Sequence, residues 1–176
     1  MSSPEPTSSS ANLAQALGHS KEILQYLTFY LGEEVFAMDI RTVREIIQHA
    51  SMTVVPLMPD FVRGVINLRG AVVPVIDLQS RFGRASACIG KKTCIVIFDA
   101  SRQGEKQELG LMVDAVSEVI DIADTDIEPT PTFGTAIARE FIHGLGKVDK
   151  VFIPIIDTDK ALSMYDMTAW VELHSR

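Results

Sequence analysis

The side chains able to do chemistry are few, and their spacing assembles no reaction. The four histidines, His19, His49, His143 and His174, are scattered. Cys88 and Cys94 have no second Cys or His pair at zinc spacing, so both read as reduced thiols, Cys94 as a core residue. Gly64, Gly70 and Gly83 lie too far apart for a dinucleotide loop. Asp39, Asp77, Asp114 and Asp157 fall where elements end, and turns and caps use carboxylates there. No phosphate loop, nucleophile elbow or zinc-protease signature is present. The sequence therefore predicts no catalytic residue, no metal and no cofactor. Two side chains are left over that folding does not require. Arg69 sits in the turn Asn67-Leu68-Arg69-Gly70, with Glu45 as its candidate partner. An exposed pair of this kind contributes only ~0–1 kcal/mol, so stability explains it poorly. Arg69 is either an ordinary solvated turn arginine or a contact for another molecule. Phe133 follows Pro129-Thr130-Pro131-Thr132 and precedes Gly134. An aromatic there either plugs its own loop or anchors a partner.

The elements that would carry these residues occur twice. Phe61–Leu78 returns without a gap as Phe141–Thr158, a constant 80 residues later (141 against 61). Phe61/Phe141, Gly64/Gly144, Pro74/Pro154, Ile76/Ile156 and Asp77/Asp157 fall in step. A weaker echo lines Phe36–Ile47 up with Leu109–Ile120, 73 residues later (109 against 36). Repetition of a supersecondary unit predicts two similar modules.

Taken in order, residues 1–20 are rich in Ser, Pro and Ala and are expected to be disordered. Two strands, 24–31 and 35–40, flank a turn at Gly32-Glu33-Glu34. Val43 with Ile46 and Ile47 has helical spacing, so 41–47 reads as a short helical turn. Residues 53–57 read as a strand, and 60–63 as a brief helix closed by Gly64. Residues 65–68 and 71–76 form a hairpin around Arg69-Gly70. Pro74 should interrupt the second strand, at an edge or a bulge. Asp77 should cap a helix to Phe82, and Asp157 a helix over 160–164. Residues 93–99 read as a strand buried on both faces and 100–107 as a polar loop. Residues 109–121 read as a long strand with a helical bend at 115–118. A polar, Pro-broken segment spans 124–134. A second brief helix covers 136–142, and 148–156 is the last strand region. The tail 163–176, with Trp170, reads as a helix or a frayed end. Many short strands of this spacing predict an all-β barrel architecture rather than a parallel α/β sheet. The modules run roughly over 21–83 and 92–158, and strand exchange between them stays open.

Composition narrows the partners. The net charge is −7 and the sequence pI about 5.0. A nucleic-acid binder would show a basic face, and an anionic membrane would repel this chain. No secretory leader pattern opens the sequence, and no apolar run reaches the ~20 residues of a membrane helix. Two cysteines imply no disulfide framework, so a cytoplasmic setting is expected.

Several of these stretches resemble the CheW family of bacterial chemotaxis adaptors, over roughly 25–162. They are Val43-Arg44-Glu45-Ile46, Gly64-Val65-Ile66-Asn67-Leu68-Arg69-Gly70, Val73-Pro74-Val75-Ile76-Asp77-Leu78, Val113-Asp114-Ala115-Val116 and Gly144-Leu145-Gly146. The resemblance implies a mainly β fold: two five-stranded SH3-like barrels packed side by side around a shared apolar seam, with a few short helices. It implies a non-catalytic scaffold that couples the cytoplasmic tip of methyl-accepting chemoreceptors to the regulatory domain of the histidine kinase CheA. The setting would be the cytoplasm, at receptor arrays on the inner membrane. Val43, Glu45, Arg69, Cys94 and Ile95 match the family's receptor groove, although Cys94 stands where valine is common. Phe133 matches an aromatic of a second, ring-closing kinase contact. An adaptor of another chemosensory pathway, such as surface motility, is the competing reading within the class. A small-ligand or catalytic barrel is the competing class.

Overall fold

In the computed structural model, residues 22–48, 51–58, 61–81, 89–102, 104–130 and 141–163 are described. Ile23–Leu31 (β1) and Glu34–Asp39 (β2) form the first hairpin, turning at Gly32-Glu33. Their β-branched and aromatic residues suit a pleated, half-buried surface. Phe29 and Phe36 stack with ring centroids 6.4 Å apart. Val43–Ile47 (β3), Val62–Leu68 (β4) and Ala71–Ile76 (β5) follow. Next come Cys94–Arg102 (β6), Glu105–Val113 (β7), Ala115–Ala123 (β8), the two-residue Ile127–Glu128 (β9), Ile142–Val148 (β10) and Val151–Ile156 (β11).

The two copies trade strands. One sheet runs β8-β1-β2-β11-β10-β9 and the other β3-β6-β7-β5-β4. The internal repeat pairs β1–β5 with β6, β7, β8, β10 and β11. Each sheet thus takes its first hairpin from one copy and its remaining strands from the other, reciprocally. The copies join through antiparallel pairings, β1 with β8 and β3 with β6, and through short parallel contacts, Ala37 against Ile155 and Val75 and Ile76 against Gly110 and Leu111. The result is mainly β, with a few short helices, as the sequence predicts.

The apolar residues divide in the same way. Ile66, Val73, Val75, Ile95, Ile97 and Met112 fill one sheet's own core. Tyr26, Ala37, Ile122 and Ile155 fill the other's. The largest cluster lies between them and joins Phe29, Leu31 and Met38 to Phe98, Leu109, Leu111 and Phe141.

The strong repeat is a repeat of geometry. Both copies carry an irregularity between the first and third residues of their strands, at Val62/Gly64 and Ile142/Gly144. The amide of Asp77 donates to Phe61 O at 2.7 Å, and that of Asp157 to Phe141 O at 2.7 Å. Asp77 Oδ1 then accepts from Gln79 N at 3.0 Å and caps helix Leu78–Arg81. Asp157 Oδ1 accepts from Lys160 N at 3.0 Å in helix Thr158–Ser163. Asp77 is fully buried and its Oδ2 lies 3.8 Å from Arg63 Nη1. Asp77→Ala removes a cap and strands a half-buried guanidinium. The expected loss is about 2 kcal/mol, read as a lower urea midpoint with an unchanged slope.

Several local expectations are corrected. Residues 41–47 are not a helical turn: a 3-10 turn, Ile40–Thr42, passes into strand β3. Residues 53–57 reduce to one bridge, Thr53 to Val65. Val62 and Arg63 belong to β4 rather than to a helix. Residues 100–102 and 105–107 are strand, paired out to Arg102 against Glu105. The bend expected at 115–118 sits instead at Asp114, between β7 and β8. Pro74 neither breaks β5 nor lies on an edge strand. Val65 exchanges hydrogen bonds of 2.9 and 2.8 Å with Thr53, so its polar groups point away from β5. Pro74 lies opposite Val65, so its missing N–H faces β7, where pairing starts only at Val75. Pro154, opposite Leu145 and just before Ile155, repeats the arrangement. Of the second brief helix expected over 136–142, Ile142 opens strand β10 instead, while 136–140, Phe133, the tail 1–20 and residues 164–176 lie outside the described residues.

Candidate protein-docking site

Strand β3 borders its sheet and has one partner, β6. Val43, Glu45 and Ile47 are half-buried along it, while Arg44 and Ile46 are exposed. Across the sheet, β4 and β5 meet in a tight turn. Arg69 and Gly70 both take positive φ there, 53° and 84°, a left-handed pair that suits hairpin twist. Asn67 Oδ1 accepts from Gly70 N at 3.0 Å and holds the turn. So fixed, Arg69 reaches Glu45: Nη2 donates to Oε1 at 2.9 Å. Arg69 is 72% exposed and Glu45 30%. At that exposure the pair contributes ~0–1 kcal/mol to stability. Exposed apolar residues flank it along the chain, Ile46 beside Glu45 and Val72 three residues after Arg69. Val72 lines a shallow hollow with Arg69, and an exposed ionic pair beside an exposed apolar side chain has the make-up of a protein contact.

Cys94 and Ile95 open β6, and Ile95 pairs with Ile47 of β3. Both are 6% exposed. Cys94 Sγ donates to Lys92 O at 3.3 Å. The structure thus brings Glu45 and Arg69 into contact, sets Val43 two residues before Glu45 against the large apolar cluster, and places Cys94 and Ile95 on the neighbouring strand β6.

A hollow of about 400 Å³, on the other sheet, includes Tyr26, Asp39, Arg41, His143, Asp157 and Asp159. Much of its polar inventory is already committed to structure. Asp39 Oδ1 caps the 3-10 turn at Arg41 N, 2.9 Å, and Oδ2 takes Arg41 Nη2 at 2.8 Å. Asp157 caps its helix, and Asp159 Oδ1 accepts from Ser101 N at 3.0 Å. Among the described residues, no group of His, Cys, Asp and Glu could hold a metal ion. The Arg41 guanidinium holds the Asp39 carboxyl below its ordinary range, against the opposing effect of burial. Burial, followed by the Asp39 charge, raises the Tyr26 phenol. A carboxylate lowered in the folded state adds stability above its unfolded value and loses it as pH falls through the folded one. Asp39→Ala should therefore cost about 1 kcal/mol near pH 7. That gap should narrow as pH falls through and below the usual carboxylate range near 4, measured by chemical denaturation at a series of pH values.

Comparison with known proteins gives the same picture. A family model, the CheW-like domain, matches residues 25–166. The chain belongs to the CheW family. Klebsiella aerogenes chemotaxis protein CheW is 33% identical over 143 residues, 81% of this chain and 84% of that protein. A probable chemotaxis protein CheW of Rhizobium etli is 35% identical over 139 residues, 79% and 87% of the two chains. The crystal structure of scaffolding protein TtCheW from Thermoanaerobacter tengcongensis superposes with a TM-score of 0.70 at 40% identity. That likeness covers 78% of this chain and 91% of TtCheW. In this CheW-family chain the two sheets are the paired SH3-like barrels, and the large apolar cluster is the seam between them.

One contact of this face escaped the sequence. Arg44 Nε donates to Asp99 Oδ2 across β3 and β6. Their separation of 55 residues leaves no local signal.

Proposed function

We propose that this CheW-family chain is a non-catalytic scaffold that couples chemoreceptors to the histidine kinase CheA. A groove formed by Val43, Glu45, Arg69, Cys94 and Ile95 receives the receptor's cytoplasmic tip. One observation carries the reading: the Glu45–Arg69 pair is built with a specific turn and an exposed geometry, yet contributes little to stability. Phe133 serves a second contact with the kinase. The scaffold works in the cytoplasm, at receptor arrays.

No bond is made or broken in this function. Two contacts of about micromolar strength, near −8 kcal/mol each, become effectively intramolecular once receptors and kinase share an array. Receptor state then reaches the kinase as a shift between packed arrangements. The test is capture on the immobilised chain, with a purified receptor cytoplasmic fragment and with the kinase separately. Both should be retained. Failure to hold either one overturns the coupling role. Phe133→Ala should retain binary kinase capture and lower the yield of extended arrays seen by cryo-tomography. Arrays of normal extent would remove Phe133 from the interface.

A further inference from the structure

The internal repeat shows how the docking strand is kept in place. β3 against β6 and β8 against β1 are the same pairing in the two copies. Val43 faces Phe98, Glu45 faces Ile97 and Ile46 faces Val96. Val116 faces Phe29 and Val119 faces Leu27. Both pairings slip at the same point, so the outer strand carries one residue more than its partner, a β-bulge. In the second copy the bulge is clamped. The buried Thr28 hydroxyl donates to Glu118 O at 2.8 Å and accepts from Glu118 N at 3.1 Å. Its counterpart in the first copy is Ile97, which has no hydroxyl, and the counterpart of Glu118 is Glu45. An ion pair that the second copy lacks stands there instead. The bulged residue, Arg44, bonds Asp99, where the second copy has Ser117 and Tyr30.

We propose that the Arg44–Asp99 pair is the register pin of the docking strand: it holds the bulge that sets Glu45 against Arg69. β3 has a neighbour on one side only, so it lacks the second paired strand that fixes the register of an interior strand. A one-residue slip turns Glu45 to the opposite face and breaks the Glu45–Arg69 contact. Arg44 and Asp99 are positioning residues, since neither has to touch the partner. The proposal rests on the receptor-docking reading only for its consequence, because the pin itself is measurable in the free protein.

The test uses the full isotope-labelled chain and four forms: wild type, Arg44→Ala, Asp99→Ala and the charge swap Arg44→Asp/Asp99→Arg. Cross-strand nuclear Overhauser contacts of Glu45 with Ile97 and of Ile46 with Val96 report register. Capture of a receptor cytoplasmic fragment reports docking, and capture of the kinase is the control. Either alanine variant should lose or shift the cross-strand contacts. Receptor affinity should drop about tenfold, with kinase capture retained. The charge swap should restore register and receptor affinity together. Unchanged cross-strand contacts in both alanine variants overturn the pin. Lost receptor capture with contacts intact also overturns it, since Arg44 would then touch the partner directly. Lost contacts without lost capture would support the pin and sink the docking reading instead.

Discussion

Arg69→Ala should leave the protein folded and cost it the receptor. The expected change in unfolding free energy is below about 1 kcal/mol, because Arg69 is 72% exposed and its ionic partner Glu45 is 30% exposed. Receptor capture should fall by at least tenfold, since a truncated interface arginine at a central contact costs about 2 kcal/mol or more. Kinase activation, which needs the ternary assembly, should fall with it. Glu45→Ala should behave alike, and the double variant should lose less than the sum of the two, as expected for groups acting as one unit. Circular dichroism and binding titrations separate the two effects. An unfolded Arg69→Ala chain would show that the arginine holds the hairpin instead.

The largest expected loss of stability lies at Gly64. A Cβ there would stand 2.5 Å from Thr53 O and 2.8 Å from Met52 Cγ. The first of these is backbone, held by Thr53's two hydrogen bonds to Val65, so it has little freedom to retreat. Gly64→Ala should cost about 3 kcal/mol through overpacking and displacement of the bridge. Gly144 stands in the matching place, where a Cβ would meet Glu128 O at 2.9 Å and Ile127 Cγ2 at 2.8 Å. Gly144→Ala should destabilise by a similar amount. Gly70→Ala offers a contrast. It faces open space with φ of 84°, so only backbone strain is added, about 1 kcal/mol. Thermal melts of the three variants should rank accordingly.

Sequence and structure part company for identifiable reasons. The strong repeat was legible because one backbone geometry makes the same demands twice. A glycine must pass close to a neighbouring chain, a proline must sit where a strand lacks a partner, and an aspartate must cap a helix. The reciprocal exchange of strands leaves no such mark, since antiparallel strands of either copy carry equivalent patterns. β3 looked helical because its bulge adds one residue to a period of two. Val43, Ile46 and Ile47 then fall at i, i+3 and i+4 without any helix being present. Gly64 was read as a helix stop, although its requirement comes from Thr53, far from its own turn. In the site, Glu45 and Arg69 could be paired from the sequence because each lacks a structural task. Cys94 and Ile95 entered by family likeness, and they lie buried on the neighbouring strand β6. Arg44 and Asp99 meet only through strand pairing.

The crossed strands also decide how the molecule responds to load. A tug on one barrel by a bound partner runs along continuous backbone into the other, because the chain passes between the sheets after β2 and after β7. Neither barrel can loosen while its neighbour stays rigid. Two proteins gripping opposite ends of this chain are therefore joined by a stiff coupling rather than by two beads on a string.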